Sequence, residues 1–232
     1  MHIPDLKGVR IASENLRDVS IVTPLNLNER LSEKLNARIF FKREDLQKVR
    51  SFKIRGAFNK IKSLNLENTQ GGKKIICASA GNHAQGVAYS CNKLKIFGTI
   101  YMPETTPKQK VERVKMFGGD FIEIILVGDT FDDAQEEAQK QLNNDSIFIH
   151  PFDDKEVIEG QGTVALEILD QIDKHFDYLV IPIGGGGLIA GIISVFKELS
   201  PKTKIIGVEA QGAPAMSLIH ISEPTRQIRI SY

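Results

Sequence analysis

From residue 73 to residue 209 the chain alternates short apolar runs with amphipathic stretches of helical period, and this alternation restricts its fold more than any other feature. The runs 75–78, 96–102, 121–127 and 147–149 read as strands, with predicted helices at about 83–93, 107–117 and 130–142 between them. Strands joined through helices pair in parallel, because a crossover long enough to hold a helix separates them. Thr106 is the expected N-cap of the second of these helices, with Pro107 at its first helical position, and Gly118 and Gly119 end it. Asp129 or Thr130 caps the next. A second passage follows the same rule: a helix over about 162–172, a strand 178–183, a helix to about 199 and a strand 204–208. The fold class expected is α/β, with open parallel sheets in three-layer αβα domains.

Composition narrows the function classes. The chain is 41% hydrophobic and 25% charged, ordinary for a globular protein, and its 30 Lys and Arg against 29 Asp and Glu leave a net charge of +1. No global basic field exists to hold nucleic acid or anionic lipid, so the expected partner is a small molecule. Cys77 and Cys91 lie in apolar runs without the paired spacing of a zinc site or a disulfide framework, which fits a reducing compartment, the cytoplasm. The start has neither the basic region nor the apolar core of a secretory signal. Residues 178–196 are uncharged and approach the roughly 20 residues of a membrane span, but Pro182 and four consecutive glycines make them a strand, a loop and a helix instead.

Three constellations carry possible chemistry. Ser51-Phe52-Lys53-Ile54-Arg55-Gly56-Ala57 follows Lys42-Arg43-Glu44-Asp45-Leu46-Gln47. Ser51 is a suitable N-cap, and Ile54, Ala57, Phe58 and Ile61 form one apolar face, which places Lys53 in a first helical turn. The helix dipole and the neighbouring Arg55 both disfavour a cation there, though a solvated surface lysine fits the same residues. Ser79-Ala80-Gly81-Asn82-His83 lies where a strand hands over to a helix, the edge at which open parallel sheets bind ligands. Asn82 or Ser79 as a plain helix cap is an equal alternative. Gly184, Gly185, Gly186 and Gly187, followed by Leu188, again join a strand to a helix; unhindered backbone N–H groups at a helix start make a phosphate cradle.

Taken in this order, the three elements resemble the fold-type II pyridoxal-phosphate enzymes, and within them the threonine dehydratase and serine racemase branch. The resemblance runs from Thr23-Pro24-Leu25 to about Met216, and His150-Pro151-Phe152-Asp153-Asp154 and Gly160-Gln161-Gly162-Thr163 share in it. It implies that Lys53 is the Schiff-base lysine, Phe52 the aromatic packed on the cofactor ring and Asn82 the contact to the cofactor's 3′ oxygen. The stretch Ser79, Ala80, Gly81, Asn82 and His83 is implied to take the substrate carboxylate, and Gly184 to Gly187 with Leu188 the cofactor phosphate. The implied cofactor is pyridoxal 5′-phosphate, and the implied reaction converts L-threonine to 2-oxobutanoate and ammonia, as in isoleucine biosynthesis. A racemase would need a second serine after Ser79, where this chain has Ala80, and a metal-binding aspartate where it has Ala215 after Glu209 and Ala213. Both departures favour the dehydratase and imply no metal. A degradative serine/threonine dehydratase or a serine racemase is the alternative within the branch, and a non-catalytic phosphate-ligand module the alternative outside it.

The division implied is a large cofactor-binding domain from 1–45 and 150–216, and a small domain from 46–149. Only 23 residues follow Glu209, so the large domain reads as truncated and the chain as an inactive fragment of a homo-oligomer. Residues 217–226 resemble a translated sequencing-library adapter, and 217–232 are expected to be a non-native tail.

Overall fold

The structure is a computed structural model, described here for residues 3–66, 73–172, 175–214 and 216; Ala215 and the expected tail, 217–232, lie outside these residues. Its elements run in chain order as α1 (Leu6–Asn15), β1 (Leu25–Leu27), α2 (Glu29–Leu35), β2 (Phe40–Lys42), a 3-10 turn (Glu44–Leu46), α3 (Lys53–Ser63), β3 (Lys74–Ala78) and α4 (Asn82–Leu94). There follow β4 (Gly98–Met102), α5 (Lys108–Gly118), β5 (Ile122–Leu126), α6 (Phe131–Lys140), β6 (Ser146–Phe148), α7 (Lys155–Asp170), β7 (Tyr178–Ile183), α8 (Gly187–Leu199) and β8 (Lys204–Glu209).

The expected parallel sheet is present. Four strands lie in the order β5-β4-β3-β6, every pair parallel. Side chains of the central strand alternate between its faces. Ile75 and Cys77 pack with Ala57, Ala84, Val87, Ala88 and Val114 of α3, α4 and α5, whereas Ile76 and Ala78 meet Ala134 and Ala138 of α6. A helix layer on each face gives the three-layer αβα arrangement. β7 and β8 form a second parallel pair, and β1 and β2 an antiparallel ribbon. Residues 178–196 are strand, loop and helix as expected, and among the described residues no helix is long and apolar enough to cross a membrane. β7 and β8 leave Tyr178, Val180 and Val208 exposed.

Three expected boundaries are corrected. The cap of α3 is Phe52, not Ser51, whose buried hydroxyl finds no partner. The cap of α5 is Pro107, with the helix starting at Lys108; Thr106 lies before it, its hydroxyl buried and unpaired. α7 begins at Lys155, seven residues before the expected start, capped by the Asp154 carboxylate, which accepts from the Val157 N–H at 3.1 Å. Gly160 sits inside that helix because it touches α3: a Cβ there would stand 2.6 Å from the Arg55 carbonyl and from Gly56 Cα. Thr130 is the cap of α6, in a reciprocal capping box with Asp133.

Candidate active site

The alternation of strand and helix puts Lys53, the 79–83 loop and the glycine run at element ends, and one short segment joins them. β6 ends at Phe148, and the next residue still pairs with the sheet, the Ile149 N–H donating to the Ile76 carbonyl at 2.8 Å. Beyond it the chain turns toward α7. The Ile149 carbonyl accepts from His83 Nε2 at 2.9 Å, and the Pro151 carbonyl accepts from Lys53 Nζ at 2.7 Å. Phe152 lies against the glycine run: a Cβ on Gly185 would meet its ring at 2.2 Å, and one on Gly187 its carbonyl at 3.0 Å. Residues 149–152 therefore contact members of all three constellations. Sequence reasoning noticed this stretch without assigning it a role; its signal was the proline and aromatic pair directly after an apolar strand.

Lys53 is the first residue of α3, with its Nζ 5.6 Å from the centre of the Phe52 ring. Burial lowers its amine from the ordinary 10.5 to about 8. Arg55 is not the cause, contrary to the expectation of like-charge repulsion. Its guanidinium is fully buried and occupied elsewhere, donating through Nε and Nη2 to the two Glu44 carboxylate oxygens at 2.8 Å each and through Nη1 to Glu167 at 2.6 Å. Lys42 completes this group, its Nζ 2.6 Å from the other Glu167 oxygen and 2.6 Å from the Thr23 carbonyl. Two cations and two anions thus lie behind the first turn of α3, tying it to α7 and to the chain before it.

In the 79–83 loop, Gly81 is the N-cap of α4 and makes no side-chain cap; Asn82 is the first helical residue and is exposed. Neither Asn82 nor Ser79 caps the helix, since the Ser79 hydroxyl accepts from the Gly81 N–H at 3.2 Å. Asn82 is left free to face a ligand, beside the partly exposed Ala80 and Gly81. His83 is buried, and its ring is turned onto the 149–152 segment.

In the glycine run, Gly184 and Gly185 are exposed, and Gly186 holds φ +84°, a left-handed conformation costly for any residue with a Cβ. Gly187 opens α8, whose first N–H groups receive no side-chain cap, while Leu188 packs into the apolar cluster of α7 and α8. An uncapped helix start with bare backbone around it leaves N–H groups that an anion can accept from. Among the described residues no group of three His, Cys, Asp or Glu side chains is placed to share a metal ion.

Comparison with known proteins shows the family. Residues 16–229 match the family described as pyridoxal-phosphate dependent enzyme, a span that reaches into the segment 217–232. The chain is 53% identical over 212 residues to the biosynthetic L-threonine dehydratase IlvA of Halalkalibacterium halodurans, covering 91% of this chain and 51% of that protein. The Bacillus subtilis protein of the same name is 54% identical over 209 residues, covering 90% and 49%. The chain thus spans about half the length of the curated relatives it matches. Among solved structures, the processed form of threonine deaminase isoform 2 from Solanum lycopersicum superposes with a TM-score of 0.83 at 44% identity, covering 93% of this chain and 60% of that one. Serine racemase from Dictyostelium discoideum does so with a TM-score of 0.82 at 31% identity, covering 92% and 68%. The chain belongs to the pyridoxal-phosphate dependent enzyme family.

Proposed function

We propose that this chain carries the cofactor-linking part of a threonine dehydratase that converts L-threonine to 2-oxobutanoate and ammonia, the deamination that isoleucine biosynthesis requires. The observation that carries the reading is the Lys53 amine, brought to about 8 by burial and held against the same segment as the glycine run. At pH 7 about a tenth of an amine of that pKa is neutral, against well under a thousandth at its ordinary 10.5, and covalent attachment and proton transfer both use the neutral form.

The site fits pyridoxal 5′-phosphate on its own terms. The uncapped start of α8 and the backbone of Gly184, Gly185, Gly186 and Gly187 offer donors to a phosphate, Phe52 beside Lys53 offers a ring face, and Asn82 an exposed carboxamide. When bound, this cofactor supplies an electron sink for the negative charge left on the substrate Cα when its proton is removed. The chain supplies the rest. Lys53 Nζ takes the Cα proton, and its burial keeps water from competing for that proton. Ser79, Ala80, Gly81 and the N–H groups that open α4 bind the substrate carboxylate and so orient the Cα–H bond. The division into 46–149 and 1–45 with 150–216 is part of the reading, since the four-stranded sheet lies in the first and the β7-β8 pair in the second. So are a homo-oligomeric complete protein and a cytoplasmic location, which the two buried unpaired thiols Cys77 and Cys91 support.

The test is an assay of the complete protein with L-threonine and L-serine, scoring 2-oxo acid against D-amino acid. With Ala80 in place of a second serine, 2-oxo acid is expected far in excess, and Ala80→Ser is expected to raise the D-amino acid fraction. Comparable D-serine from the parent assigns the chain to the racemase side, and no bound chromophore at all would favour a phosphate-ligand module. Gly185→Val probes the cradle independently, because a side chain there drives into the Phe152 ring. Loss of a charge-assisted hydrogen bond to phosphate, about 1.5–3 kcal/mol, corresponds to roughly tenfold to hundredfold weaker cofactor uptake, read by absorbance titration. Unchanged uptake would remove Gly185 from the site.

A further inference from the structure

We propose that His83 is a positioning residue: its imidazole, through the Ile149 carbonyl, fixes the 149–152 segment that the Lys53 amine and the glycine run contact, and its ring makes no contact with the substrate carboxylate. The inference rests on the assignment of Lys53 made above.

The hydrogen bonding determines the tautomer. Nε2 lies 2.9 Å from the Ile149 carbonyl, which can only accept, so Nε2 carries the proton in the neutral ring. Nδ1 is then a bare acceptor, and it is buried without a partner. The ring is 3% exposed, and burial lowers its pKa to about 3; Lys53 and His150 nearby act in the same direction, and the bond to Ile149 opposes them. A neutral ring whose only N–H is already given to a backbone carbonyl has no donor left for a carboxylate.

What that donor holds is the segment itself. Ile149 is tied on both sides, its N–H to Ile76 and its carbonyl to His83. Two residues on, the Pro151 carbonyl takes Lys53 Nζ, and His150 Nδ1 accepts from the Asp153 N–H at 2.7 Å, closing the turn between them. Without the imidazole, the buried Ile149 carbonyl would be unpaired, and rotation of the 149–150 peptide to find a new donor would carry the Pro151 carbonyl away from Lys53. The other titratable groups at the segment are His150, Asp153 and Asp154, and none of them hydrogen-bonds the Ile149 carbonyl.

Two variants separate the ring positions: Gln puts an amide N–H near the place of Nε2, and Asn near that of Nδ1. In the complete, cofactor-free protein, the pH at which Lys53 becomes half reactive toward a trinitrophenylating reagent is read by peptide mass. His83→Gln is expected to keep that midpoint near 8, the parent value, and His83→Asn to raise it by about one unit as water reaches the amine. In the loaded enzyme, His83→Asn is expected to lower kcat about a hundredfold with KM for threonine little changed, the scale of a small misplacement of a reacting group. Nitrogen-15 spectra of the parent are expected to show His83 protonated at Nε2 alone and not titrating between pH 5 and 8. A His83→Asn midpoint and kcat equal to the parent's, a raised KM alone in both variants, or a proton on Nδ1 would overturn the proposal. A parent without lyase activity in which His83→Asn still moves the Lys53 midpoint would instead defeat the functional reading and leave the positioning role standing.

Discussion

Lys53→Ala is expected to abolish threonine deamination, with a fall of about 10⁴-fold or more, the upper end of what one positioned proton acceptor supplies, and to remove the covalent attachment of the cofactor. Borohydride reduction of the loaded parent followed by peptide mapping is expected to place the label on Lys53 alone; a label on another lysine sinks the assignment. The substitution has a second, opposite consequence. The amine is lowered from 10.5 to about 8 by burial, so the fold disfavours its charged form. For a cation whose folded pKa is depressed, the cost to stability is complete below pH 8, shrinks as pH rises and is gone above 10.5. The cofactor-free Lys53→Ala protein is therefore expected to be more stable than its parent at pH 6 to 7, by a margin that narrows as the pH is raised. Thermal melts from pH 6 to above pH 10.5 check it, the narrowing expected above about pH 8. A variant less stable than its parent at neutral pH would mean that the Pro151 contact outweighs the burial of the charge.

That pairing of lost activity with gained stability is the mark of a residue held against its own preference, and such residues are where local sequence rules fail. Ser51 is the residue that capping rules select at the start of α3, yet its hydroxyl is unpaired and Phe52 occupies the cap. Tertiary packing of α3 on α7 decided the position instead. The same packing hid the start of α7: the expected helix began only at about residue 162, whereas Gly160 lies inside the helix and admits the backbone of α3. Where packing and propensity agree, the sequence is transparent. β7 is found over the expected residues, and alternate residues of β3 face opposite helix layers as strand periodicity demands.

The site was legible in part for the same reason. Each glycine-rich or small-residue stretch lay at a strand-to-helix junction, and parallel topology brings such junctions to the carboxyl edge of a sheet. What holds them together was not legible, because the contacts of residues 149–152 with Lys53, His83 and Gly185 span 98, 66 and about 30 positions. The second omission has the larger energetic weight. The run from Lys42 to Gln47 was noticed, but Arg55 was read only as a charge near Lys53. Its partner Glu167 lies 112 residues away, beyond any local pattern.

Arg55→Leu is accordingly expected to destabilise the fold by about 3–5 kcal/mol, the usual result of removing one member of a buried ion network. Leucine fills much of the space but leaves the Glu44 carboxylate, which is 13% exposed, without the two bonds that compensate its burial. The pH dependence distinguishes this cause from a packing defect. In the parent, burial by itself would raise the Glu44 carboxyl, but the Arg55 guanidinium overrides it, with Thr23 and Gln47 contributing, and holds it below its ordinary 4.5. A depressed carboxylate contributes stability that is fully present above pH 4.5 and is lost as the pH falls through its folded-state pKa. Without Arg55, burial is left as the main influence and the pKa is expected to rise above that ordinary value. The sign then reverses: the variant loses stability as the pH climbs through the carboxylate range toward neutral, where the parent's gain is already complete. Urea denaturation at a series of pH values, with Arg55→Leu compared to Arg55→Leu/Glu44→Gln, measures it. The double variant is expected to lose most of that pH dependence and to recover part of the stability, since Gln carries no charge to strand. A single variant whose deficit is the same at pH 4 and pH 7 would show that Arg55 acts by filling space, and the network would then lose its role in holding the first turn of α3 in place.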